Sequence, residues 1–506
     1  MSSNSKQNRE ALWHWAELEA ACNLLQSGVE LEITGISIDS RSVLEGELFI
    51  ALEGDPGPRF KSSSQGLDGH KFVGSAEEQG AAGLMVSKPV ASSLPTLHVQ
   101  DTLDGLWQLG EAGRNRMAGK VVAITGSSGK TTLRQWTEQV LAEQAMIHAS
   151  VGSFNNHWGV PLSLARMPRQ AEYGIFEVGM NHPGEISPLA SLVRPDVAVV
   201  LNVLPAHIGQ FESLAHIRRE KLSIEDGLRS SGILIVPDDL VTQEIATCNI
   251  MTFGFGEAAT VRGRIIPDPL APDSTSVEVK VEDASYFYTL EGKGEHRVLT
   301  SLALMAIIYA LDADLAAASA AMAKITTPEG RGNRIRVGST VLVDDSYNAN
   351  PVSMAYALRA LAASKAEKKI AFLGEMFELG QDGDAAHLAL QSLCLGIDRI
   401  ITVGDGFKIW RQDFFPAGVW RHYENVASIP LSDLFAELST ASGNLPPVTA
   451  STALGSDHTD ALLETARTGS IEILIKGSNK VFWVCGFAAQ VEQYLQEMQG
   501  EVIERV

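Results

Sequence analysis

Three features of the sequence predict an α/β fold of three domains, which we place at residues 1–99, 100–328 and 329–506. With 506 residues, 45% of them hydrophobic, the chain is too long for a single core. From about residue 100, and again from about residue 330, apolar strands are followed by polar loops and helical stretches. This order is typical of parallel, doubly wound sheets, whose ligands bind at the carboxyl ends of the strands.

The first hundred residues contain short apolar stretches separated by glycine-rich turns. We predict strands at residues 31–38 and 47–52, followed by a turn at residues 53–58. This pattern indicates a small α/β domain.

The two longer domains are predicted from their strands. In the central domain we expect parallel strands at residues 121–125, 173–178 and 197–203, each before a loop rich in Gly, Asn or His. In the C-terminal domain we expect strands at residues 340–343, 369–373, 399–403 and 471–475. The C-terminal series indicates a Rossmann-like domain.

The composition excludes several classes of partner. The formal net charge is −21, from 61 acidic and 40 basic residues, which opposes binding to nucleic acids and to anionic membrane surfaces. The four cysteines form no CxxC pair, the N-terminus lacks the apolar core of a signal peptide, and no apolar stretch is long enough to cross a bilayer. We therefore expect a cytoplasmic monomer without nucleic-acid or membrane partners.

The segment VVAITGSSGKTT at residues 121–132 places a glycine turn between a strand and a helical stretch. Backbone N–H groups and a helix N-terminus in this order hold phosphate, so the segment predicts a central ATPase domain. Lys130 would neutralise the β- and γ-phosphates, and the Thr131 hydroxyl would bind Mg²⁺. The alternative is a Gly-Ser turn with an exposed lysine. The predicted ATP-binding residues of this loop are Thr125, Gly126, Ser127, Ser128, Gly129, Lys130, Thr131 and Thr132.

This TGxxGKT loop resembles the nucleotide loop of the Mur ligase family. Further segments that resemble the family are SFNNHWGVPLSL at residues 153–164, IFEVGMNHPGE at 175–185 and NVLPAHIGQFES at 202–213. VDDSYNANPVSM at residues 343–354 and LGEMFELG at 373–380 resemble the family members that add D-alanyl-D-alanine. The DYAHxP and DNPR segments of the members that add the third amino acid are absent from the sequence.

The resemblance, over residues 36–480, implies an ATP-dependent carbon–nitrogen ligase. Such an enzyme would join D-alanyl-D-alanine to UDP-N-acetylmuramoyl-tripeptide through an acyl phosphate, in the synthesis of peptidoglycan precursors. ATP and Mg²⁺ would be its cofactors, and the first domain would bind the UDP-muramoyl substrate.

The resemblance also implies roles for residues outside the loop. Lys221 aligns with a lysine that the family carbamylates, and His207 with a ligand of a second metal ion. The implied catalytic residues are Lys130, Lys221 and His207, and the implied metal ligands are Thr131, Glu177, His207 and Lys221. Further ATP contacts would be His296, Arg331 and Asp345, and substrate contacts would be Ser40, Arg41, Asn155, Asn156, Asn348 and Asn350. By spacing alone, each of these residues could equally be a surface charge, a turn residue or a structural histidine.

Four segments depart from the family pattern. The segment that usually lies near the adenine keeps Gly294 and His296 but has Arg297 and Thr300 where the family has asparagines. Ser223 replaces an acidic residue, Gly152-Ser153 replaces Gly-Asn, and KGSNKVFWV at residues 476–484 lacks the usual arginine and Met-Glu pair. These departures leave three alternatives open: a ligase for another amino acid, a silent homologue that binds UDP-muramoyl peptides, and an unrelated phosphate-loop kinase.

Overall fold

The computed structural model describes residues 10–54, 67–205, 208–241, 245, 249–267, 274–292, 294–434, 470–499 and 503–505. Within these ranges the chain forms three main sheets, one in each third of the sequence, and helices cover them. The predicted α/β class with three domains is therefore confirmed. Among the helices in these ranges, none is long and apolar enough to cross a membrane.

The N-terminal region contains a four-stranded parallel sheet and a two-stranded antiparallel pair. Its elements are β1 (Trp13–His14), α1 (Trp15–Ala21), β2 (Glu32–Ile33), β3 (Gly35–Ser37), β4 (Glu47–Ile50), α2 (Val73–Glu78), β5 (Gly83–Val86) and β6 (Thr96–His98). The prediction of one strand at residues 31–38 is wrong. Its first half, β2, pairs with β1, and its second half, β3, pairs with β4, so the stretch crosses from one sheet to the other at Thr34.

The central region is built on a nine-stranded sheet in the order β15-β14-β13-β12-β11-β10-β7-β9-β8. Its elements are α3 (Thr102–Arg116), β7 (Lys120–Thr125), α4 (Lys130–Ala142), β8 (Ile147–Ala149), α5 (Gly159–Ala165), β9 (Tyr173–Glu177), α6 (Ile186–Val193), β10 (Val197–Val200), α7 (Leu214–Leu222), β11 (Ile233–Pro237), β12 (Asn249–Gly254), β13 (Val261–Ile266), β14 (Ser274–Val281), β15 (Ala284–Glu291), α8 (Glu295–Ala310) and α9 (Leu315–Ala321). The strands from β8 to β13 are parallel, and β14 and β15 extend the sheet antiparallel.

Two apolar layers cover the faces of this sheet. Leu133 and Trp136 of α4 and the apolar side of α8 pack on one face, while α5, α6 and α7 pack on the other. These layers fix the ends of β7, β9 and β10, so the loops that follow the three strands lie side by side at one edge.

The C-terminal region has a seven-stranded sheet in the order β20-β19-β18-β21-β17-β16-β22. Its elements are β16 (Asn333–Val337), β17 (Thr340–Asp345), α10 (Pro351–Ala362), β18 (Lys368–Gly374), α11 (Gly383–Leu393), β19 (Arg399–Val403), β20 (Trp420–Tyr423), β21 (Ile471–Lys476), α12 (Phe487–Gln499) and β22 (Ile503–Arg505). The four strands predicted here agree with β17, β18, β19 and β21, which are parallel.

Two glycines bring the central and C-terminal regions into backbone contact. The turn Ile208–Gln210 meets the turn Gly380–Asp382. A Cβ on Gly209 would lie 2.5 Å from the Gly380 N, and a Cβ on Gly380, where φ is +58°, would lie 2.5 Å from the Gly209 Cα. Both positions therefore require glycine for the two regions to approach this closely.

We expect Gly209→Ala to loosen the docking of the C-terminal region. A forced contact costs about 1–3 kcal/mol, so trypsin should cut after the exposed Lys324, between the second and third sheets, about tenfold faster than in the parent chain. The control is Gly74→Ala in α2, where a Cβ would meet nothing within 4 Å. Equal cleavage rates for Gly209→Ala and Gly74→Ala would contradict the role of the glycine contact.

Candidate active site

A single large cavity of about 1650 Å³ is lined by residues of all three regions. It lies at the carboxyl ends of the parallel strands of the central sheet, where the predicted phosphate loop follows β7. The predicted site residues that line it are Ser40, Arg41, Ser127, Ser128, Gly129, Lys130, Thr131, Thr132, Asn155, Asn156, Glu177, His296, Arg331, Asp345, Asn348 and Asn350. Residues distant in sequence thus meet at one site.

Three predicted residues of the described chain do not line this cavity. Thr125, the last residue of β7, is fully buried, and Gly126 follows it beneath the loop. Lys221 lies on α7, inside the protein rather than at the cavity wall. His207 lies outside the described residues. The side chain of Thr125 therefore does not line the cavity, and its contact with ATP stays a prediction.

The phosphate loop makes a sharp turn into the N-terminus of α4. Gly129 has a left-handed backbone with φ +81°, and a Cβ there would lie 2.9 Å from Leu201 Cδ2. The Lys130 Nζ donates to the Gly126 O at 2.7 Å. Burial lowers the pKa of Lys130, which the nearby Glu177 opposes. The loop therefore presents a cation and the free N–H groups of a helix start to the cavity.

Asn202, just after β10, holds the phosphate loop from behind. Its Oδ1 accepts hydrogen bonds from the Ser127 N at 2.9 Å and the Ser128 N at 3.0 Å, and its Nδ2 donates to the Ser128 O at 2.9 Å. Two loop N–H groups are thus bonded within the chain, which leaves those at the start of α4 for an anion. Sequence reasoning missed this role, although Asn202 begins the quoted segment NVLPAHIGQFES.

Two of the three described residues that were predicted to bind magnesium, Thr131 and Glu177, lie next to each other. The Thr131 Oγ1 donates to the Glu177 Oε2 at 3.1 Å, and Glu177 is fully buried. In an octahedral Mg²⁺ shell with ligands at about 2.0–2.1 Å, neighbouring oxygens lie roughly 3 Å apart, so this pair fits one edge of the shell. No cluster of three or more His, Cys, Asp or Glu occurs in the described part of the chain, so water and phosphate oxygens would complete the shell.

Arg134 was missed by the sequence analysis. Its Nε donates to the Glu177 Oε1 at 3.2 Å, and its Nη1 pairs with Glu138 at 2.6 Å. Arg134 thus fixes one oxygen of Glu177 and leaves the other facing Thr131. Nothing in the sequence distinguishes it from the exposed arginines of an amphipathic helix.

Lys221 is buried without an acidic partner among the described residues. Lys221 is 2% exposed, and its Nζ lies 3.9 Å from the Met180 Sδ. Burial, with the nearby charge of Lys130, lowers the pKa of Lys221 well below its ordinary value, which Glu220 opposes. An unpaired buried ammonium is costly, so the site favours the neutral amine.

The C-terminal region supplies one side of the cavity. Lys476, at the end of β21, donates to the Asp345 Oδ2 at 2.6 Å and to the Asn348 O at 3.3 Å. Burial raises the pKa of Asp345, and Lys476 and Arg331 oppose this. The structure therefore places Asp345 against a buried lysine. Sequence reasoning assigned no role to Lys476, although it begins the quoted segment KGSNKVFWV.

The two asparagines of the NANP segment are held by the backbone. The Asn350 Oδ1 accepts from the Ser353 N at 2.9 Å and caps α10, which has Pro351 in its first turn. The Asn348 Oδ1 accepts from the Ala349 N at 2.9 Å. These bonds fix the segment where it enters the cavity wall.

His296 and Arg297 begin α8 at the cavity wall. Burial lowers the pKa of His296 to about 4, so the ring is neutral at pH 7. The Arg297 guanidinium lies 5.4 Å from the centre of the Trp136 ring, and its Nη2 donates to the Thr327 Oγ1 at 2.9 Å. A cation stacked near an aromatic ring thus replaces the neutral amide that the family pattern predicts here.

The N-terminal region closes the far end of the cavity. Arg41 pairs with Asp39 at 2.9 Å and 2.8 Å, and its side chain is 86% exposed. His70 contacts Asp68 through Nδ1 at 2.7 Å and accepts from the Ser87 N through Nε2 at 3.0 Å. Burial raises the pKa of Asp68, but hydrogen bonds from His70 and Lys88 outweigh this and bring it to about 2. The N-terminal end of the cavity therefore presents the long, exposed and positively charged side chain of Arg41 on a turn held by hydrogen bonds.

Asn155 and Asn156 follow the turn after β8. The Asn156 Oδ1 accepts from the Gly159 N at 2.9 Å, so it caps the start of α5. The Asn155 O accepts from the Gly179 N at 2.7 Å, and a Cβ on Gly179 would lie 2.8 Å from the Asn155 Oδ1. Both line the cavity, so their structural bonds and their predicted contacts with substrate are compatible.

Comparison with known proteins identifies the family. Residues 124–308 match the Mur ligase middle domain, and residues 330–425 match the Mur ligase, glutamate ligase domain. The UDP-N-acetylmuramoyl-tripeptide--D-alanyl-D-alanine ligase of Escherichia coli (strain K12) is 32% identical over 391 residues, which cover 74% of this chain and 82% of that protein. The chain belongs to the Mur ligase family.

Two further Mur ligases agree with this assignment. The ligase of the same name from Bacillus subtilis (strain 168) is 31% identical over 406 residues, covering 78% of this chain and 83% of that protein. A crystal structure of MurF from Acinetobacter baumannii superposes with a TM-score of 0.76 at 28% identity, covering 95% of this chain and 99% of that one. The similarity to Mur ligases thus extends over all three regions.

Proposed function

We propose that this Mur ligase joins D-alanyl-D-alanine to UDP-N-acetylmuramoyl-tripeptide, using ATP and Mg²⁺, in the cytoplasmic synthesis of peptidoglycan precursors. The observation that carries the proposal is the shared cavity. It brings the phosphate loop, Glu177 and the NANP segment together with Ser40 and Arg41 of the N-terminal region. The relatives in E. coli and B. subtilis carry the name of this activity.

The residues of the cavity fit ATP and Mg²⁺. Thr131 and Glu177 would hold the metal ion, and Lys130 with the N–H groups at the start of α4 would hold the phosphates. When bound, ATP supplies the phosphoryl group that activates a carboxylate, and Mg²⁺ neutralises charge on that group. Arg331 would face the transferring phosphoryl group from the C-terminal region.

The remaining predicted residues would contact the substrates or the bound metal in this proposal. Ser40 and Arg41 would bind the uridine diphosphate end of the first substrate, since Arg41 is a mostly exposed cation at the cavity rim. Asn155 and Asn156 would contact the phosphates or the bound metal, and Asn348 and Asn350 the incoming dipeptide. The domain boundaries at residues 99/100 and 328/329 are part of the same proposal, since each falls between two of the sheets.

We expect phosphate release from ATP to require both UDP-N-acetylmuramoyl-tripeptide and D-alanyl-D-alanine. A site built for the dipeptide leaves buried polar groups unpaired with an amine that lacks the peptide group, so D-alanine, lysine or diaminopimelate should react at least roughly 10²-fold more slowly in kcat/KM. The measurement is a phosphate-release assay with a panel of amines, and product identity is checked by mass. Equal rates with an amino acid and a UDP-muramoyl dipeptide would instead favour a ligase that adds the third amino acid of the peptide.

A further inference from the structure

The Ser153 hydroxyl connects the C-terminal region with the magnesium-binding pair. Its Oγ accepts from the Tyr347 OH at 2.8 Å and from the Arg331 Nη2 at 3.3 Å, and it lies 3.4 Å from the Thr131 Oγ1. Tyr347 and Arg331 belong to the third sheet region, whereas Ser153 and Thr131 belong to the second. Ser153 also stands at one of the four departures from the family pattern.

The donors and acceptors at Ser153 form a directed chain. A hydroxyl has one proton and two lone pairs, and both lone pairs here accept bonds from the C-terminal region. The Ser153 proton is therefore left for the Thr131 Oγ1, whose own proton goes to the Glu177 Oε2 at 3.1 Å. This series of hydrogen bonds ends on the Glu177 carboxylate, which fits Mg²⁺. Docking of the C-terminal region therefore orients the Thr131 hydroxyl.

Tyr347 and Arg331 are held together as one unit. The Arg331 guanidinium lies 4.1 Å from the centre of the Tyr347 ring, and the Tyr347 N donates to the Gly330 O at 2.9 Å. The Trp483 ring packs edge-on against the Tyr347 ring, with 5.2 Å between the ring centres. A Cβ on Gly330 would lie 2.6 Å from the Trp483 Cζ3. Trp483 lies in the altered segment KGSNKVFWV, so two departures from the family pattern meet at Tyr347.

We propose that Ser153 is a positioning residue that couples docking of the C-terminal region to the geometry of Thr131 and Glu177. Together with Tyr347 it holds Arg331 beside the phosphate loop and the Thr131 hydroxyl towards the metal position. This inference rests on the proposed function for its role in the reaction, but its binding test is independent of the second substrate.

The test measures the affinity of Mg²⁺ with a nonhydrolysable ATP analogue by calorimetry. One hydrogen bond at a charged site is worth up to about tenfold in binding, so Ser153→Ala should bind the analogue about tenfold more weakly. Ser153→Thr keeps the hydroxyl and should bind within about twofold of the parent chain. The control, Ser319→Ala, removes a hydroxyl that bonds the Phe287 O away from the cavity, and it should change nothing.

A double-mutant cycle separates coupling from simple loss of a contact. If Ser153 acts through Tyr347, Tyr347→Phe should weaken binding about as much as Ser153→Ala, and the double variant should lose little more. Additive losses, or parent-like affinity in Ser153→Ala, would overturn the proposal. If the parent chain binds the analogue with Mg²⁺ but does not ligate D-alanyl-D-alanine, the proposed function fails while the coupling is still tested.

Discussion

Lys130→Ala should abolish ATP-dependent ligation while leaving the fold intact. Lys130 is the cation that the phosphate loop presents to the cavity, and its Nζ bonds only the Gly126 O in the described chain. Removing a preorganised charge that faces developing negative charge costs roughly 10²–10³-fold in kcat. The side chain lies at a cavity wall, so its loss removes little core volume, and the melting temperature should fall by no more than a few degrees, on the order of 1 kcal/mol.

The matched control is Lys120→Ala at the start of β7, the strand that leads into the phosphate loop. The Lys120 Nζ also donates to a backbone carbonyl, the Leu311 O at 2.7 Å, but it does not line the cavity. Activity in this variant should stay within about twofold of the parent chain. Near-normal turnover in Lys130→Ala, measured as phosphate release, would contradict the assignment of residues 125–132 as the phosphate loop.

Lys221→Ala should be nearly inactive, and a small carboxylate should partly restore it. Lys221 is buried, and its lowered pKa makes the neutral amine more available for reaction with CO₂. The amine nitrogen would bond to the carbon of CO₂ and release one proton, giving a carbamate anion. That anion would replace the unpaired buried ammonium, and its oxygens would be available as metal ligands. Loss of the anion should lower kcat by roughly 10²–10³-fold.

Acetate or formate in the space left by Lys221→Ala should raise kcat, whereas chloride at equal ionic strength should not. Lys221→Met keeps most of the side-chain volume, so it controls for the cavity that alanine creates, and it should be inactive and unrescued. In the parent chain, activity should fall in buffer stripped of CO₂ and return with bicarbonate. A carbamate signal absent from NMR spectra taken with labelled bicarbonate, together with full activity of Lys221→Met, would show that the residue is only structural.

The strands of the two large domains were predictable because they are strongly apolar and precede polar loops. The predicted strands correspond to β7, β9 and β10 of the central sheet and to β17, β18, β19 and β21 of the C-terminal sheet. The other strands of these two sheets were missed, among them the extension β14–β15, although alternation in STSVEVKV at residues 274–281 is a usable strand signal. The two short strands β2 and β3 were read as one, since pairing with different partners leaves no mark on the alternating stretch LEITGISI at residues 31–38.

The candidate site was predictable where a local motif carries the chemistry. The phosphate loop and Glu177 follow apolar strands, and parallel pairing of β7 with β9 brings them together. Asn202, Arg134 and Lys476 could not be assigned in this way, since each acts through a partner that lies 43 to 131 residues away. Their roles depend on burial and on contacts between distant segments, which a sequence pattern does not contain.

The clamp of Asn202 on the phosphate loop has a consequence for the energetics of each catalytic cycle. Fixing a flexible backbone costs about 1–2 kcal/mol per residue at 25 °C. Because Asn202 already holds Ser127 and Ser128 through three hydrogen bonds, that entropy is lost once, when the polypeptide folds. The phosphate loop is therefore already ordered when a nucleotide binds. The attraction between the phosphates and the loop contributes to affinity and is not offset by the cost of ordering the loop.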